Sequence, residues 1–322
     1  MNYRVLGRTG LRVSEIGYGA WGIGGQMWLG AVDTESMKAM HEAADLGLNF
    51  IDTALAYGEG HSETLVGRFL KERKDPITVA TKIPPKNRIW PAKPGTPLSE
   101  AFPYDHIIAS TEKSLRNLNV GTIDIQQLHV WNDDWADQDE WKRAFAKLKE
   151  QGKVRHFGIS INDHQASNGV LAAATGLIDT FQVIYNIFDQ TPEEKLFPLF
   201  REMNLGIIAR VPFDEGALTG AITPGTTFPP GDFRNNYFAG KRKEEVFRRT
   251  EGLKRLLGAE AASLPELALR FCLHPPAVST VIPGMRNIRN VRANCSVSDG
   301  RTLSDSLLAR LRGHAWEKNF YD

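Results

Sequence analysis

The stretch TIDIQQLHVWNDDWADQDEWKRAFAKLKEQGKVRHFGIS, residues 122–160, decides the fold class. We predict a strand over Thr122–Leu128, a helix over Asp139–Gln151 and a second strand over Val154–Ser160. A strand, a helix and a strand in that order form a βαβ unit, whose two strands pair in parallel. The stretch therefore predicts a parallel sheet that is covered by helices.

The same alternation continues on both sides, after a short hairpin that joins Tyr3–Leu6 to Leu11–Val13. The predicted strands are Ser14–Gly19, Asn49–Asp52, Ile77–Lys82, Thr122–Leu128, Val154–Ser160, Thr180–Tyr185, Leu205–Val211 and Val278–Ile282. The predicted helices are Thr34–Leu46, His61–Lys74, Tyr104–Leu118, Asp139–Gln151, His164–Ala174, Pro192–Met203, Lys241–Phe271 with a break near Gly258, Ile288–Asn294 and Ser304–Trp316. Eight such units predict an α/β protein, a single (β/α)8 TIM barrel domain over residues 1–322, with an N-terminal β-hairpin and a C-terminal helical extension. An open, doubly wound sheet is the alternative.

Composition and charge exclude several classes of protein. The chain has 322 residues, of which 42% are hydrophobic and 24% charged, as in ordinary globular proteins. Lys plus Arg number 39 and Asp plus Glu 38, so no excess of positive charge predicts binding to nucleic acid. No apolar run reaches the roughly 18 residues of a membrane span, and the start shows no signal core. With Cys272 and Cys295 too few for a disulfide framework, we expect a cytoplasmic protein, and we assign no oligomeric state.

Two long loops follow predicted strands. Ile83–Pro103 contains six prolines, and Phe213–Gly240 is rich in Gly, Pro and Thr. Loops after the strands form the active face of a barrel, so we predict a functional role for both. Tolerated surface insertions are the alternative interpretation.

Polar residues at three neighbouring strand ends predict a catalytic centre. Asp52 ends the second strand, Lys82 ends the third and His129 ends the fourth, while Tyr57 lies in the loop after Asp52. Each residue alone has a bland interpretation, such as packing, solvation or capping. Together they are expected on one rim of the barrel. The scattered histidines predict no metal site.

The chemistry of this set suits reduction of a carbonyl group. A phenol has a pKa of about 10, and a nearby ammonium group is expected to lower it, with a carboxylate holding that ammonium in place. The phenol then donates a proton to a developing alkoxide, while a neutral imidazole orients the carbonyl oxygen. No side chain supplies a hydride, so the set predicts a nicotinamide cofactor.

The sequence resembles the aldo-keto reductases over essentially its whole length. The resemblance rests on Asn49–Gly58 (NFIDTALAYG), Leu128-His129 and Val281–Asn287 (VIPGMRN). It implies an eight-stranded α/β barrel that binds NADP(H) and reduces aldehydes and ketones to alcohols without a metal. In this family pattern Asp52, Tyr57, Lys82 and His129 match the catalytic residues, with Tyr57 as the general acid.

The resemblance also implies the cofactor contacts. The implied cofactor-binding residues fall into three groups. Those at the nicotinamide are Ser160, Asn162, Gln182 and Arg210. Those in or beside the loop Phe213–Gly220, which matches the loop that covers the pyrophosphate, are Pro212, Leu218 and Gly220. Those that match the adenosine-phosphate region are Gly284, Met285, Arg286, Asn290 and Asn294. Three departures from the family pattern stand out: Ile161 replaces an Asn, Arg210 replaces an aromatic platform, and the usual Lys-Ser after Pro283 is missing. Because Arg286 and Arg289 can meet a 2′-phosphate, we expect NADP(H) rather than NAD(H).

Aromatic residues after the strands predict the substrate pocket. Trp21, Trp90 and Trp131 are candidates for its rim, although loop anchoring is an equal alternative. The expected partner is a small carbonyl compound. Two functional alternatives remain at this stage: a cofactor-binding regulatory subunit resembling channel β subunits, and a barrel enzyme that uses tightly bound NADP for internal redox as an isomerase or lyase.

Overall fold

The computed structural model describes residues 1–321, and its strands follow one another around a ring. The strands are β1 (Tyr3–Val5), β2 (Arg12–Ser14), β3 (Tyr18–Gly19), β4 (Phe50–Asp52), β5 (Thr78–Ile83), β6 (Ile123–Leu128), β7 (Val154–Ser160), β8 (Thr180–Ile184), β9 (Gly206–Arg210) and β10 (Val278–Val281). Strands β3 to β10 pair in parallel with their neighbours in chain order.

The helices lie between these strands and cover the sheet. They are α1 (Asp33–Asp45), α2 (His61–Glu72), α3 (Leu98–Ala101), α4 (Tyr104–Leu118), α5 (Asp139–Glu150), α6 (Val170–Ala174), α7 (Leu196–Glu202), α8 (Arg234–Tyr237), α9 (Arg242–Lys254), α10 (Leu264–Leu273), α11 (Ile288–Cys295) and α12 (Asp305–Arg312). Within the described chain, each helix is too short or too polar to cross a lipid bilayer.

The first and last strands of the ring meet. Parallel bridges join Ile16 to Val281 and Gly19 to Gly284, and the Gly17 amide donates to the Val281 carbonyl at 2.8 Å. The sheet is therefore the predicted α/β barrel and not the open sheet of the alternative interpretation.

The N-terminal hairpin, β1 with β2, plugs the amino end of the barrel. Leu6 and Val13 are fully buried in one apolar cluster with residues of the barrel strands. Arg8 donates to the carbonyls of Gly176 and Ile178, which precede β8. Because these carbonyls lie before the strand, the hairpin covers the end of the barrel opposite to the strands' carboxyl ends.

Helix α5 shows why the covering helices form where they do. Its buried residues Trp141, Ala144, Phe145 and Leu148 repeat at the i, i+3, i+4, i+7 spacing of one helix face. Phe145 stacks on Phe157 of β7 at 3.9 Å between ring centroids, which fastens the helix to the sheet.

The two-residue period of a strand selects the side chains that reach the barrel mouth. Phe50 and Ala80 pack in the hairpin cluster inside the barrel, so Asp52 and Lys82, two residues on, face the interior as well. Interior residues at the carboxyl ends of the strands line the rim at which barrel active sites form.

Several helix predictions are wrong at their boundaries. The helix expected over Pro192–Met203 begins only at Leu196, since Thr191–Glu193 form a separate 3-10 turn, and the helix expected over Ser304–Trp316 ends at Arg312. The helix expected over His164–Ala174 begins only at Val170, because the Asp133 carboxylate accepts the amides of Gly169, Leu171 and Ala172 and so fixes the first turn there. The segment Lys241–Phe271 forms the separate helices α9 and α10, with Gly258 between them as expected. The first barrel strand is shorter than Ser14–Gly19, since regular pairing is limited to β3.

Candidate active site

The candidate catalytic residues meet at the carboxyl end of the barrel. Asp52 ends β4, Lys82 lies at the end of β5 and His129 directly follows β6. Tyr57 begins a tight turn in which Gly58 has a φ of +65°. A Cβ at Gly58 would lie 2.1 Å from the Gly24 carbonyl oxygen, so glycine lets the turn pack closely against the loop after β3.

Lys82 organises this group from inside the barrel, where it is fully buried. Its Nζ donates to Asp52 Oδ2 at 2.6 Å, to the Thr53 carbonyl at 2.8 Å and to Tyr57 Oη at 3.2 Å. These acceptors use the three N–H groups of an ammonium, which has no lone pair to accept with. Tyr57 Oη therefore accepts from Lys82, and its own proton is left to point elsewhere.

Burial raises the pKa of Tyr57 well above its usual value, and the Asp52 carboxylate acts in the same direction. The sequence predicts that the ammonium lowers this pKa. The net direction is the opposite, because burial penalises the phenolate most, the Asp52 and Glu215 carboxylates act in the same direction, and the positive charge of Arg210 does not outweigh them. Tyr57 is therefore a protonated phenol, able to donate.

His129 lies against Tyr57 with its ring edge-on, at 5.7 Å between centroids. Burial, followed by the positive charges of Lys82 and Arg210, holds the pKa of His129 well below its usual range. Its Nδ1 is shielded from solvent and has no hydrogen-bonding partner among residues 1–321. The imidazole is therefore neutral.

Ser160 and Gln182, expected at the nicotinamide, are neighbours, with Ser160 at the end of β7 and Gln182 in the middle of β8. They pair across the two strands and are both buried. Gln182 Nε2 donates to Asp52 Oδ1 at 2.7 Å, so the two oxygens of Asp52 are bound by Gln182 and Lys82. Gln182 thus connects the predicted cofactor residues to the predicted catalytic group.

Arg210 ends β9 beside this pair. One of its nitrogens, Nη2, donates to the Ile161 carbonyl at 3.1 Å and to Asp163 Oδ1 at 2.6 Å. Its Nε is buried without a partner in the part of the chain that the structure describes. The guanidinium is thus held as a fixed plane at the barrel mouth, which is what a stacking platform requires.

Asn162 binds the backbone of the proline-rich loop. Its Oδ1 accepts the Ala92 amide and its Nδ2 donates to the Ala92 carbonyl, both at 3.2 Å. The same side chain also bonds the Trp131 amide and Gln165. Asn162 therefore ties down the proline-rich loop, and its contact with a nicotinamide stays a prediction.

The residues expected near the phosphates divide into buried side chains and open backbone. Pro212, Leu218 and Met285 are buried, so only their backbones can meet a ligand. Gly220, at a φ of +73°, ends the 213–220 turn. A Cβ added at Gly284 meets nothing within 4 Å, and the same holds at Gly216. Open space above two glycines suits the close approach of a pyrophosphate to the backbone.

The expected adenosine end lies at α11. Asn294 is buried, and its Nδ2 has no partner within residues 1–321, as expected of a donor whose acceptor is a ligand. The Asn290 amide is bound by Asn287 Oδ1, the cap of the helix. Arg286 donates to the Leu29 carbonyl at 2.7 Å, and burial and the nearby Arg234 lower its pKa. The residues present therefore fit a dinucleotide, although Arg286 leans towards the loop after β3.

Two of the three predicted pocket tryptophans stand beside the catalytic group. Trp90 is 40% exposed and 5.8 Å from the His129 ring, and Trp21 lies 6.3 Å from the Tyr57 ring. Trp131 is fully buried, and its Nε1 donates to Asp133. It anchors its loop, as the alternative interpretation had it, and does not line the pocket.

The structure adds residues to this mouth that the sequence did not point to. Trp28 and Phe233 pack edge-on against Trp21 at 5.5 and 5.3 Å, and Tyr321 lies 6.1 Å from Phe233. Trp28 and Phe233 lie in glycine-rich loops, where a large aromatic residue is the one sequence feature that could have pointed to them. Tyr321 carries no such signal. In the described part of the chain, no group of three or more His, Cys, Asp or Glu side chains is arranged to hold a metal.

Comparison with known proteins gives consistent matches along the chain. The model of the Aldo/keto reductase family matches residues 15–315. The aldo-keto reductase YhdN of Bacillus subtilis is 30% identical over 314 residues, covering 94% of this chain and 90% of that protein. The structure of a glycerol dehydrogenase from Gluconobacter oxydans superimposes with a TM-score of 0.80 at 30% identity, covering 97% of this chain and 94% of the other. A holo-form aldo-keto reductase from Bacillus halodurans superimposes with a TM-score of 0.76 at 29% identity and full coverage of both chains, 100% each.

Two further relatives have names that state another cofactor or another role. An NADH-specific methylglyoxal reductase of Escherichia coli is 28% identical, with 97% of this chain and 98% of that protein covered. A probable voltage-gated potassium channel subunit beta of rice is 28% identical, with 93% and 92% covered.

Proposed function

Because this chain belongs to the aldo/keto reductase family, we propose that it reduces an aldehyde or ketone to an alcohol, with NADP(H) as cofactor and Tyr57 as proton donor. The arrangement of Lys82 carries the proposal. An ammonium that donates to Asp52, to a backbone carbonyl and to the phenol oxygen leaves the phenol proton for the substrate.

The chain's own residues move one proton and hold one oxygen. Tyr57 gives its proton to the oxygen of the carbonyl as negative charge develops there. Lys82 stabilises the phenolate that results, and Asp52 keeps Lys82 in position. The neutral imidazole of His129 carries one N–H, which holds the carbonyl oxygen beside Tyr57.

The cofactor is assigned to the carboxyl ends of the strands and the 213–220 turn. When bound, the nicotinamide supplies a hydride to the carbonyl carbon. In this proposal Ser160 and Gln182 would hold its carboxamide, and Arg210 would serve as the platform for its ring. The backbone at Gly216 and Gly284 receives the phosphates, where a side chain would fill the open space.

A preference for NADP(H) over NAD(H) rests on charge at α11. Arg286 and Arg289 stand at the start of this helix, whose N-terminus favours an anion. A 2′-phosphate gains charge-assisted hydrogen bonds there, whereas a ribose hydroxyl gains none of that charge. One relative is named as NADH-specific, so the preference needs its own measurement.

Titration of the purified protein with NADPH and with NADH, followed by nicotinamide fluorescence, tests the cofactor. An aromatic aldehyde added to the NADPH complex then tests the reaction, through loss of nicotinamide absorbance. Tyr57→Phe should lower turnover by about 10²–10⁴-fold, the worth of a placed proton donor, and leave cofactor affinity unchanged. Tyr104→Phe on α4 is the matched control.

The same experiment separates the two alternatives. Cofactor binding with no consumption of NADPH would favour the regulatory-subunit interpretation. The relative named as a channel subunit does not by itself favour that interpretation, because the site shows no feature specific to it. Cofactor that copurifies and is not consumed would favour internal redox. Turnover by Tyr57→Phe at the wild-type rate would contradict the assignment of Tyr57 as the proton donor.

A further inference from the structure

The turn expected to cover the cofactor carries two adjacent acids. Asp214 and Glu215 stand inside the turn Asp214–Thr219, and both are buried, with 1% and 7% of their surface exposed. Two carboxylates oppose the binding of a pyrophosphate, because like charges repel strongly where water is excluded. The turn can therefore accept an anionic ligand only if these acids are neutralised from within the protein.

Lys318, from the C-terminal tail (residues 313–321), neutralises the first acid. Its Nζ lies 2.7 Å from Asp214 Oδ1 and 3.0 Å from Tyr237 Oη, and Tyr237 in turn donates to the same Asp214 oxygen. Asp214 Oδ2 is buried without a partner in residues 1–321, so Lys318 is the counter-ion on which this carboxylate depends.

Tyr321, from the same tail, binds the second acid. Its hydroxyl donates to Glu215 Oε1 at 2.6 Å. Its ring lies 5.1 Å from Tyr237 and 5.8 Å from His164, which follows β7. The tail therefore crosses from the cofactor turn to the loop after β7, beside the predicted nicotinamide site.

The rest of the tail is fastened to the barrel, so these contacts are made by a fixed element. The Trp316 amide donates to the Phe188 carbonyl at 2.8 Å, and the two rings meet edge-on at 5.5 Å. Arg249 lies over the Trp316 ring at 4.2 Å, and Arg242 donates to the Phe320 carbonyl. A tail held along its length can transmit its position to the turn.

We propose that Lys318 and Tyr321 are positioning residues for the cofactor-covering turn: Lys318 neutralises Asp214, Tyr321 holds Glu215 by a hydrogen bond, and the turn held in this way slows release of the bound cofactor. This inference rests on the proposed function only for the identity of the ligand. The mechanical half, that the tail holds the turn, concerns the protein without ligand.

Two measurements test the two halves separately. Amide hydrogen exchange of residues 214–220 in the cofactor-free protein reports the turn, whose amides at Gly216, Leu218 and Gly220 are hydrogen-bonded. Stopped-flow fluorescence of the NADPH complex, with excess NADP⁺ as the chase, reports the rate of cofactor release. Wild type, Lys318→Met, Lys318→Arg and Tyr321→Phe are compared.

Lys318→Met should speed exchange in the turn and cofactor release, each by at least about tenfold, because it leaves a buried carboxylate unpaired. Lys318→Arg should restore both. In the double variant Asp214→Asn with Lys318→Met no charge is left unpaired, so its values should return towards wild type. A structural loss that does not depend on charge would not be rescued in this way. Lys147→Met, at an exposed pair on α5, is the matched control.

Tyr321→Phe keeps the test decisive if Lys318→Met folds poorly, since it removes one hydrogen bond and no charge. Unchanged exchange and unchanged release in the folded variants would overturn the proposal, as would a double variant no better than Lys318→Met. Faster exchange in a protein that binds neither NADPH nor NADH would uphold the positioning role and reject the proposed function.

Discussion

Glu215 is a carboxyl group in a setting that disfavours charge. Burial raises its pKa to about 7, and the neighbouring Asp214 and Asp163 act in the same direction, against Arg210 and the hydrogen bond from Tyr321. In the unfolded chain the group ionises at its ordinary pKa near 4.5. The folded protein therefore keeps a proton that the unfolded chain has already lost, and the free energy of unfolding falls as the pH rises through this interval.

Glu215→Gln should remove this dependence, because glutamine accepts the Tyr321 hydroxyl and carries no charge. Relative to wild type, the variant should gain about 2–3 kcal/mol of stability between pH 4.5 and pH 8, the worth of a shift of this size. Urea unfolding at a series of pH values measures it. Glu59→Gln is the control, since Arg88 lowers the pKa of that exposed carboxyl and no gain is expected. A flat difference between Glu215→Gln and wild type would contradict the interpretation.

At the scale of single residues, the sequence identified those whose position follows from the strands. Asp52 and Lys82 stand at the ends of apolar runs, so their meeting follows from the register of a parallel sheet. The pKa of Tyr57 was predicted in the wrong direction, because sequence shows which charges are near and not how much water is lost. The bond from Tyr321 to Glu215 spans 106 residues and follows from no local pattern.

The proline-rich loop Ile83–Pro103 is an element whose shape depends on bonds from its neighbours. Asn162 holds Ala92 by two hydrogen bonds, in the manner of a short strand pair. Trp135 Nε1 donates to the Thr96 carbonyl at 2.7 Å. Trp90, two residues before Ala92, is thereby kept against His129. The position of the loop after a strand predicts a functional role for it. Its anchor, Asn162, follows a different strand, β7, so the loop's own sequence does not show what holds it.

Asn162→Ala should release the loop and disturb the carbonyl site rather than the cofactor site. We expect KM for an aromatic aldehyde to rise about 5–10-fold, the worth of roughly one lost hydrogen bond, with the cofactor Kd unchanged. Steady-state kinetics and cofactor titration measure the two quantities. The opposite pattern, a weaker cofactor and an unchanged KM, would instead support the contact with the carboxamide that the family pattern implies for Asn162. Asn168→Ala, in the loop after β7 that also carries Asn162, is the control.

Helix α6 shows why the boundaries of a helix are hard to predict from sequence. The apolar spacing of the segment allows a helix from His164, yet His164 has a φ of +53° and the helix begins six residues later. The first turn is placed by Asp133, which reaches across from the loop after β6 to accept three amides. When the capping residue belongs to another segment, the sequence of the helix itself does not show where the helix begins.

At the scale of the whole molecule, the number of repeats predicted a closed barrel, and closure depends on one seam. Strand β3 is short, so the ring joins through the bridges of Ile16 to Val281 and Gly19 to Gly284. The count of βα units in the sequence indicates closure because eight parallel strands fill a ring. The hairpin's place as a plug does not follow from that count, since its contacts, such as Arg8 with Asp179, join distant segments.

The two glycines that face each other at this seam should respond differently to the same added methyl group. A Cβ at Gly19 would lie 2.6 Å from the Ile282 carbonyl oxygen, which is backbone and cannot move aside, whereas a Cβ at Gly284 meets nothing within 4 Å. Gly19→Ala should therefore cost about 1–3 kcal/mol of stability through overpacking. Gly284→Ala should unfold like wild type and yet bind NADPH more weakly, because its methyl group occupies space assigned to the phosphates. Denaturant unfolding and cofactor titration of both variants measure the contrast. Equal loss of stability in the two would show that the open space at Gly284 is needed by the fold and not by a ligand.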